Sequence, residues 1–454
     1  MIYFSMLKIL NSENCFLLIS RNFKDLHMSE RKRVYYIKPD KEIKDEVIRL
    51  YKKSRWKRNV PIIYHAIVEM PLLLPSAVFQ WSTGPIEQVQ EGGSSHECLV
   101  ATTVGKNHIL RFTRIILNEN ANDGKKLQFK KKCDIRFQRA VQIAKYMPQD
   151  ARILALGTNL FDAILRLNES DQVNVTVIQK TLLLANGEVS KLQSAIPAGS
   201  GGKSFSWNKI KAGLLITVFS NGSISIYDIE NGVKNDSAVP SIENYKVCLI
   251  NEIHWHPKME CIFGGAGKNG KICIWDRRIK ASEFLVHNFS THVGNEVSSF
   301  SFNCFNENIL ASASGDKTVK LWDLRKTGRP LHIYFPGNVP KKLMWSPRNE
   351  VMLGCAFQKD GLVIYDVNAI GQEVVGDDCN DYWDKDAIPE SLFVHSGYKN
   401  NILDFDWNSH LTWFLGCSND RGIISAWIPS KEIVNDEDEP DVNIPDEELE
   451  PLDF

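Results

Sequence analysis

Gly202-Lys203-Ser204 is the first place in this 454-residue chain to test for chemistry, because a lysine and a hydroxyl following a glycine can hold the phosphates and metal of a nucleotide. Such a loop also needs a glycine five residues before Gly202, and position 197 is proline. It must then open a helix whose free N–H groups face the anion, whereas Phe205-Ser-Trp-Asn208 reads as a strand. Metal chemistry has no better support. The eleven histidines show no His-Glu-x-x-His spacing, and a strand through His254 and His256 places both on the face opposite Trp255, which fits a structural role. The ten cysteines form no Cys-x-x-Cys pair, and several, such as Cys273, fall in predicted strands; they read as small buried apolar groups in a reducing compartment. No catalytic residue, metal or cofactor is expected.

The remaining polar constellation is repetitive, and repetition points to architecture. Ile272-Cys-Ile-Trp-Asp276, Val319-Lys-Leu-Trp-Asp323 and Val363-Ile-Tyr-Asp366 each follow a short glycine-containing turn. A second mark recurs beside them: Trp207-Asn, Trp255-His-Pro, Phe302-Asn, Trp345-Ser-Pro and Trp407-Asn, at steps of 48, 47, 43 and 62 residues. A WD-repeat blade of four antiparallel strands takes roughly 40–45 residues, so seven blades use roughly 300. The fold expected is all-β, a seven-bladed WD-repeat β-propeller. In the best-preserved unit His292, Ser312, Asp316 and Trp322 can be linked by hydrogen bonds from hydroxyl to imidazole to carboxylate, so they are expected to tie strands to turn and not to catalyse. Other units keep parts of the set: Tyr227 and Tyr365 replace the tryptophan, and Asn269 stands where an aspartate is expected.

Outside the repeats, residues 40–60 read as an amphipathic helix with Ile43, Val47, Leu50 and Tyr51 on one face. Residues 1–39 are expected to be a disordered leader, with Met28 a natural start; the apolar run Cys15-Phe-Leu-Leu-Ile19 is too short for a signal peptide. No segment approaches the roughly 20 apolar residues of a membrane span. The propeller is placed at 61–431, with Gly84 to Ser95 as a loop, Asn118–Lys132 as a polar, lysine-rich connection, and a weak pattern over 168–196. The long step places an acidic insertion at 372–391, within which Asp377 to Glu390 carries six carboxylates and one lysine. Residues 432–454 hold eleven carboxylates and no Lys or Arg, leaving the rest of this chain of net charge −1 at +10. Such a tail reads as a solvated segment.

These pieces together resemble the histone-binding WD-repeat family, the retinoblastoma-binding and chromatin-assembly-factor small subunits, from about Asp45 to Glu439. The resemblance rests on Tyr51-Lys-Lys53 with Pro61 to Tyr64, Pro75-Ser76 with Gln80-Trp81, and Tyr146-Met-Pro-Gln149. It continues through Asp316-Lys-Thr-Val319 with Leu321 to Arg325, Trp345-Ser-Pro347 with Asn349-Glu350, Leu392-Phe393 with His395, Asp404-Phe405 with Trp407-Asn408, and Asn435 to Asp438. It implies a nuclear, non-catalytic subunit that binds histones three and four within chromatin assembly, acetyltransferase, deacetylase or polycomb-type complexes. It also implies a side groove receiving the first helix of histone four. There Asp384, Asp386 and Glu390 would meet basic residues, and Leu392, Phe393, Ile433, Val47 and Leu50 would give apolar contact.

The departures are as specific. Where the family is acidic around the top opening, this chain reads Arg136-Phe-Gln-Arg139, Gly199 to Lys203, Asn251, Asn338 and Asn401, with Glu296 retained, so attraction for a basic tail is expected to be reduced. Arg55-Trp-Lys-Arg58 adds three positive charges before the family's proline. Two other readings are compatible with the residues. One is a general scaffold, such as a ubiquitin-ligase receptor or ribosome-assembly factor. The other is direct nucleic-acid contact through Lys125, Lys126, Lys130, Lys131, Lys132, Arg136 and Arg139, where base-stacking aromatics are sparse.

Overall fold

Seven antiparallel sheets account for nearly all the regular structure in the computed structural model of the chain. It describes residues 59–434, apart from 90–92, 105–106, 119–125, 138–139, 159–161, 168–172, 178–179, 183–201, 220–221, 223, 230–249, 280–284, 359–360, 372–389 and 396–400. The innermost strands of blades one to seven are Phe79–Trp81, Val141–Met147, Gly202–Trp207, Ile250–Trp255, Val297–Phe302, Pro340–Trp345 and Ile402–Trp407. The chain is thus a seven-bladed WD-repeat propeller. Second strands such as Met352–Phe357 are buried at every position, because sheets press on both of their faces, and they read as apolar runs without alternation. Small residues allow the blades to approach: a Cβ on Gly354 would lie 2.8 Å from the Phe405 ring of the next blade, and Gly416 sits under Phe79 in the same way.

The ring closes on itself with strands from opposite ends of the described chain. Tyr64–Pro71 pairs antiparallel with Ile423–Pro429, so blade seven takes its outer strand from before blade one. Radial repetition otherwise leaves one open edge, and this pairing removes it.

Around the channel the inner strands do not pair with one another, and side chains take over the backbone hydrogen bonds. Ser204 and Ser206 accept from the N–H groups of Ile253 and Trp255, Glu252 from Phe300, and Ser299 and Ser301 from Leu343 and Trp345. Asp404 and Asp406 accept from Phe79 and Trp81 at 2.8 and 2.9 Å, and Gln80 from Tyr146, carrying the lacing through the closure and into blade two. Lys145 completes it by donating to the Phe205 carbonyl, and Lys342 by donating to Asp404 and the Phe405 carbonyl. Burial raises the Asp406 carboxyl to about 7 against the pull of Lys342, and burial lowers the Lys145 ammonium to about 8.

The recurring aromatic-polar motif serves the opposite end of the same strands. Trp81, Trp207, Trp345 and Trp407 each donate an indole N–H to a carbonyl of the preceding blade: Asp406, Lys145, Ser301 and Met344. The following Asn208, His256 and Asn303 accept from two N–H groups of their own turn and reach the carbonyls of Glu260, Glu307 and Glu350 in the next blade. One motif therefore closes a turn and ties adjacent blades together.

Within blade five, His292 bonds Asp316 at 2.8 Å and Ser312 at 2.9 Å, and the Trp322 indole donates to the same Ser312 hydroxyl at 2.9 Å. Blade four has Gly265 at the register position of Ser312, and its Trp275 indole N–H is buried without an acceptor among the described residues.

Three local expectations need correction. Leu127–Phe137 is the outer strand of blade one and not a polar connection. Its odd positions are apolar apart from Lys131, and the outward lysines disguised a period of two. Glu87–Val89 and Gly93–Val104 pair within the segment read as a loop. Val173–Val177 and Lys180–Leu182 supply strands where the pattern was weak.

Replacing Ser312 by Ala removes the shared partner of a buried imidazole and a buried indole. The expected cost is roughly 1–3 kcal/mol, seen as a lower urea midpoint at an unchanged slope. A midpoint equal to that of the parent would show that the linkage contributes nothing.

Candidate protein-binding groove at the ring seam

Three elements meet where the ring closes. Residues 59–63 are helical and run directly into the closing strand Tyr64–Pro71; Ser391–His395 is the outer strand of blade six; Lys431–Val434 is a one-turn helix after the last strand of blade seven. Backbone bonds hold the ends together, from Ser430 N–H to the Ile63 carbonyl at 2.8 Å and from Ile433 N–H to Ser430 at 3.0 Å. Beneath them lies an aromatic cluster. Phe393 stacks on Trp427 at 5.0 Å and meets Tyr64 edge-on at 5.4 Å, His395 stacks on Trp427 at 4.7 Å, and the Tyr64 hydroxyl is 2.8 Å from the His395 imidazole.

This cluster fixes the sequence-predicted apolar residues in one place. Phe393 is buried within it, while Leu392 and Ile433 pack half-buried on its rim beside Val60, Ile63 and Ile428. Ile62, at 67 % exposure, and Val394, at 44 %, leave apolar surface facing outward along the same seam. Val47, Leu50, Asp384 and Asp386 lie outside the described residues. Glu390 is at the base of the acidic insertion and is 6 % exposed; its carboxylate is 3.4 Å from His332, and its carbonyl accepts from Asp366 N–H. Tyr64, Val60, Ile63, His395 and Trp427 were not singled out from sequence. The spacing of Val60, Tyr64 and Ile67 was legible, but it spans a helix-to-strand junction where neither period persists.

The opposite face carries the segments that depart from the resembled family. Connections between blades and the turns between second and third strands fall there, at the start of each inner strand. In blades two to seven the inner strand bulges by one residue, placing Gln142, Lys203, Asn251, Ser298, Lys341 and Leu403 around the channel mouth. Lys203 donates to Asn251, whose amide donates to the Val297 carbonyl at 3.2 Å and to Glu296 at 3.4 Å. Asn401 donates to Asp420 at 2.8 Å.

Among the described residues no cluster of three or more His, Cys, Asp or Glu is placed to hold a metal ion, and no helix is long and apolar enough to cross a membrane. Burial raises the Cys417 thiol to about 12, which makes it a poor nucleophile.

Comparison with known families agrees with this geometry. Residues 52–110 match the family model for the histone-binding protein RBBP4, which also describes the CAF1 complex component of the same type, and residues 283–323 match the WD domain, G-beta repeat. The first match covers the helix end, the closing strand and most of blade one; the second covers the outer strand of blade four and three strands of blade five. The resemblance to the histone-binding WD-repeat family is borne out by these two segments.

Burial lowers the His395 imidazole from 6.5 to about 3, so it stays neutral in the fold while an unfolded histidine protonates. A depressed folded value means that its contribution is whole above about pH 6.5 and is lost as pH falls toward 3, by up to about 4 kcal/mol. A His395→Gln variant, which cannot titrate, is expected to show a flatter loss of urea midpoint between about pH 6 and 4 than the parent. Identical acid limbs would exclude His395 as the titrating group.

Proposed function

We propose that this chain is a histone-binding, non-catalytic subunit of nuclear chromatin assemblies, and that the seam of the ring is where a basic amphipathic helix, the first helix of histone four, is held. The observation that carries the reading is that the segment matching the histone-binding family model is the one that forms a wall of the seam, through Val60, Ile63 and Tyr64. A helix laid along Ile62, Leu392, Val394 and Ile433 would bury its apolar stripe there, with Val47 and Leu50 extending the wall.

Charge supports the same occupant. The insertion Asp377 to Glu390 and the segment after Val434 flank the seam in sequence with an excess of carboxylates, and a histone helix brings arginines and lysines. Asp384 and Asp386 are assigned to those cations. Glu390, already facing His332, is assigned to anchoring the base of the insertion and to contact at its edge. Catalysis belongs to partner subunits of the acetyltransferase, deacetylase, polycomb-type or assembly complexes that the family serves. A general scaffold is the second reading, supported by the propeller itself.

Calorimetric titration of the purified chain with a peptide of the first helix of histone four is the test. Micromolar or tighter binding is expected, reduced at least tenfold by Asp384→Lys with Asp386→Lys and by Ile62→Asp. Absence of binding by the parent chain to both the peptide and intact histones would overturn the histone reading and favour the scaffold.

A further inference from the structure

The face bearing the channel mouth is cationic and apolar at once. Among its described residues Arg136, Lys203, Lys268, Lys317, Lys341 and Arg421 are exposed, against one exposed carboxylate, Glu296. Asp316 and Asp420 are only half-buried, but hydrogen bonds to His292, Thr318 and Asn401 occupy them. Large apolar side chains lie beside the cations. Leu73 and Leu74, 77 % and 47 % exposed, flank the turn that carries Arg421, where Leu72 N–H bonds the Gly422 carbonyl. Phe335, 69 % exposed, follows the strand paired to the residues next to Lys317, and Leu403 takes the bulge position that Lys341 takes in the neighbouring blade.

A basic partner such as a histone tail does not fit that pattern. An acidic segment with interspersed apolar residues does, and the chain contains one. After Val434 come Asp441-Val442, Ile444, Asp446-Glu-Glu-Leu-Glu450 and Leu452-Asp-Phe454, with no lysine or arginine in the whole of 435–454. We propose that residues 435–454 dock in cis across the channel-mouth face, their carboxylates on Lys203, Lys268, Lys317, Lys341 and Arg421 and their apolar side chains on Leu73, Phe335 and Leu403.

Reach and effective concentration favour this occupant over a free peptide. The segment starts from the seam, at the far ends of the strands, and must pass a wall of one inner strand, about 20 Å for six residues. Twenty residues span up to roughly 65 Å, enough to pass the wall and cross the rim. Tethering places the segment near its site at roughly millimolar concentration, so even a weak contact is populated. The docked tail would keep the face closed to nucleic acid and other anions, and it would draw the carboxylates of 435–454 away from the seam. The proposal rests on the charge of this face and not on the histone reading.

Carbodiimide cross-linking of the full-length chain at low concentration, read by mass spectrometry, tests it. Intramolecular links from carboxylates of 435–454 to Lys203, Lys268, Lys317 or Lys341 are expected. Links only to other lysines, such as Lys130–Lys132 or Lys431, or no links, would overturn it. In a second arm, a labelled peptide of residues 435–454 is titrated against a variant ending at Val434 and against the full chain. At least tenfold tighter binding to the truncated variant, weakening with salt and lost with Lys203→Glu, Lys341→Glu and Arg421→Glu, is expected. Equal binding to both chains, no binding to either, or binding of the truncated variant to duplex DNA but not to the peptide would each overturn the cis-docking assignment.

Discussion

The closure of the ring is the constraint on which the rest of the molecule depends. Each blade buries both faces only because it has a neighbour on each side, so a ring with one blade unfinished leaves two apolar faces open. Pairing of Tyr64–Pro71 with Ile423–Pro429 joins strands more than 350 positions apart in sequence, and the inner lacing then continues without a break from Asp404 and Asp406 into Phe79 and Trp81. The Asp406 carboxyl, raised to about 7, shows how far these linking groups are withdrawn from water. An ionisable group is retained there because it satisfies a backbone N–H that no strand partner can reach.

The proposed groove gains its shape from that same closure. Tyr64 opens the closing strand and also stands at the centre of the aromatic cluster, so the helix before it cannot shift without disturbing Phe393, His395 and Trp427. A helix bound at the seam would add contacts to both strands of the closing pair. Ligand binding and ring stability would therefore be linked, since whatever binds only the closed ring stabilises it.

Much of this was legible in the sequence, for reasons that differ by residue. The Trp-Asp phrases and the aromatic-polar motif recur at near-constant spacing because each blade repeats one set of contacts. The motif's role in tying neighbouring blades was not legible, since its acceptors are backbone carbonyls about 50 positions away, as with Asn208 and Glu260. Lys130, Lys131 and Lys132 concealed the outer strand of blade one, because the exposed face of an edge strand tolerates a run of charge. At the groove, Leu392, Phe393 and Ile433 were identified through the family resemblance. Tyr64 and Trp427 were missed, because a residue that completes a ring is marked by its partner strand and not by its own neighbours. The bulges that set Lys203, Lys341 and Leu403 at the mouth follow from backbone register, which alternation in a six-residue strand does not reveal.

Hydrogen exchange of the full chain, free and saturated with a peptide of the first helix of histone four, tests the central claim that the binding groove and the ring closure are one structure. The account predicts added protection in residues 59–71, 391–395 and 423–434, with none at the bulges of the channel mouth. Protection confined to the mouth, or a bound peptide that leaves the closing strand pair unchanged, would contradict it.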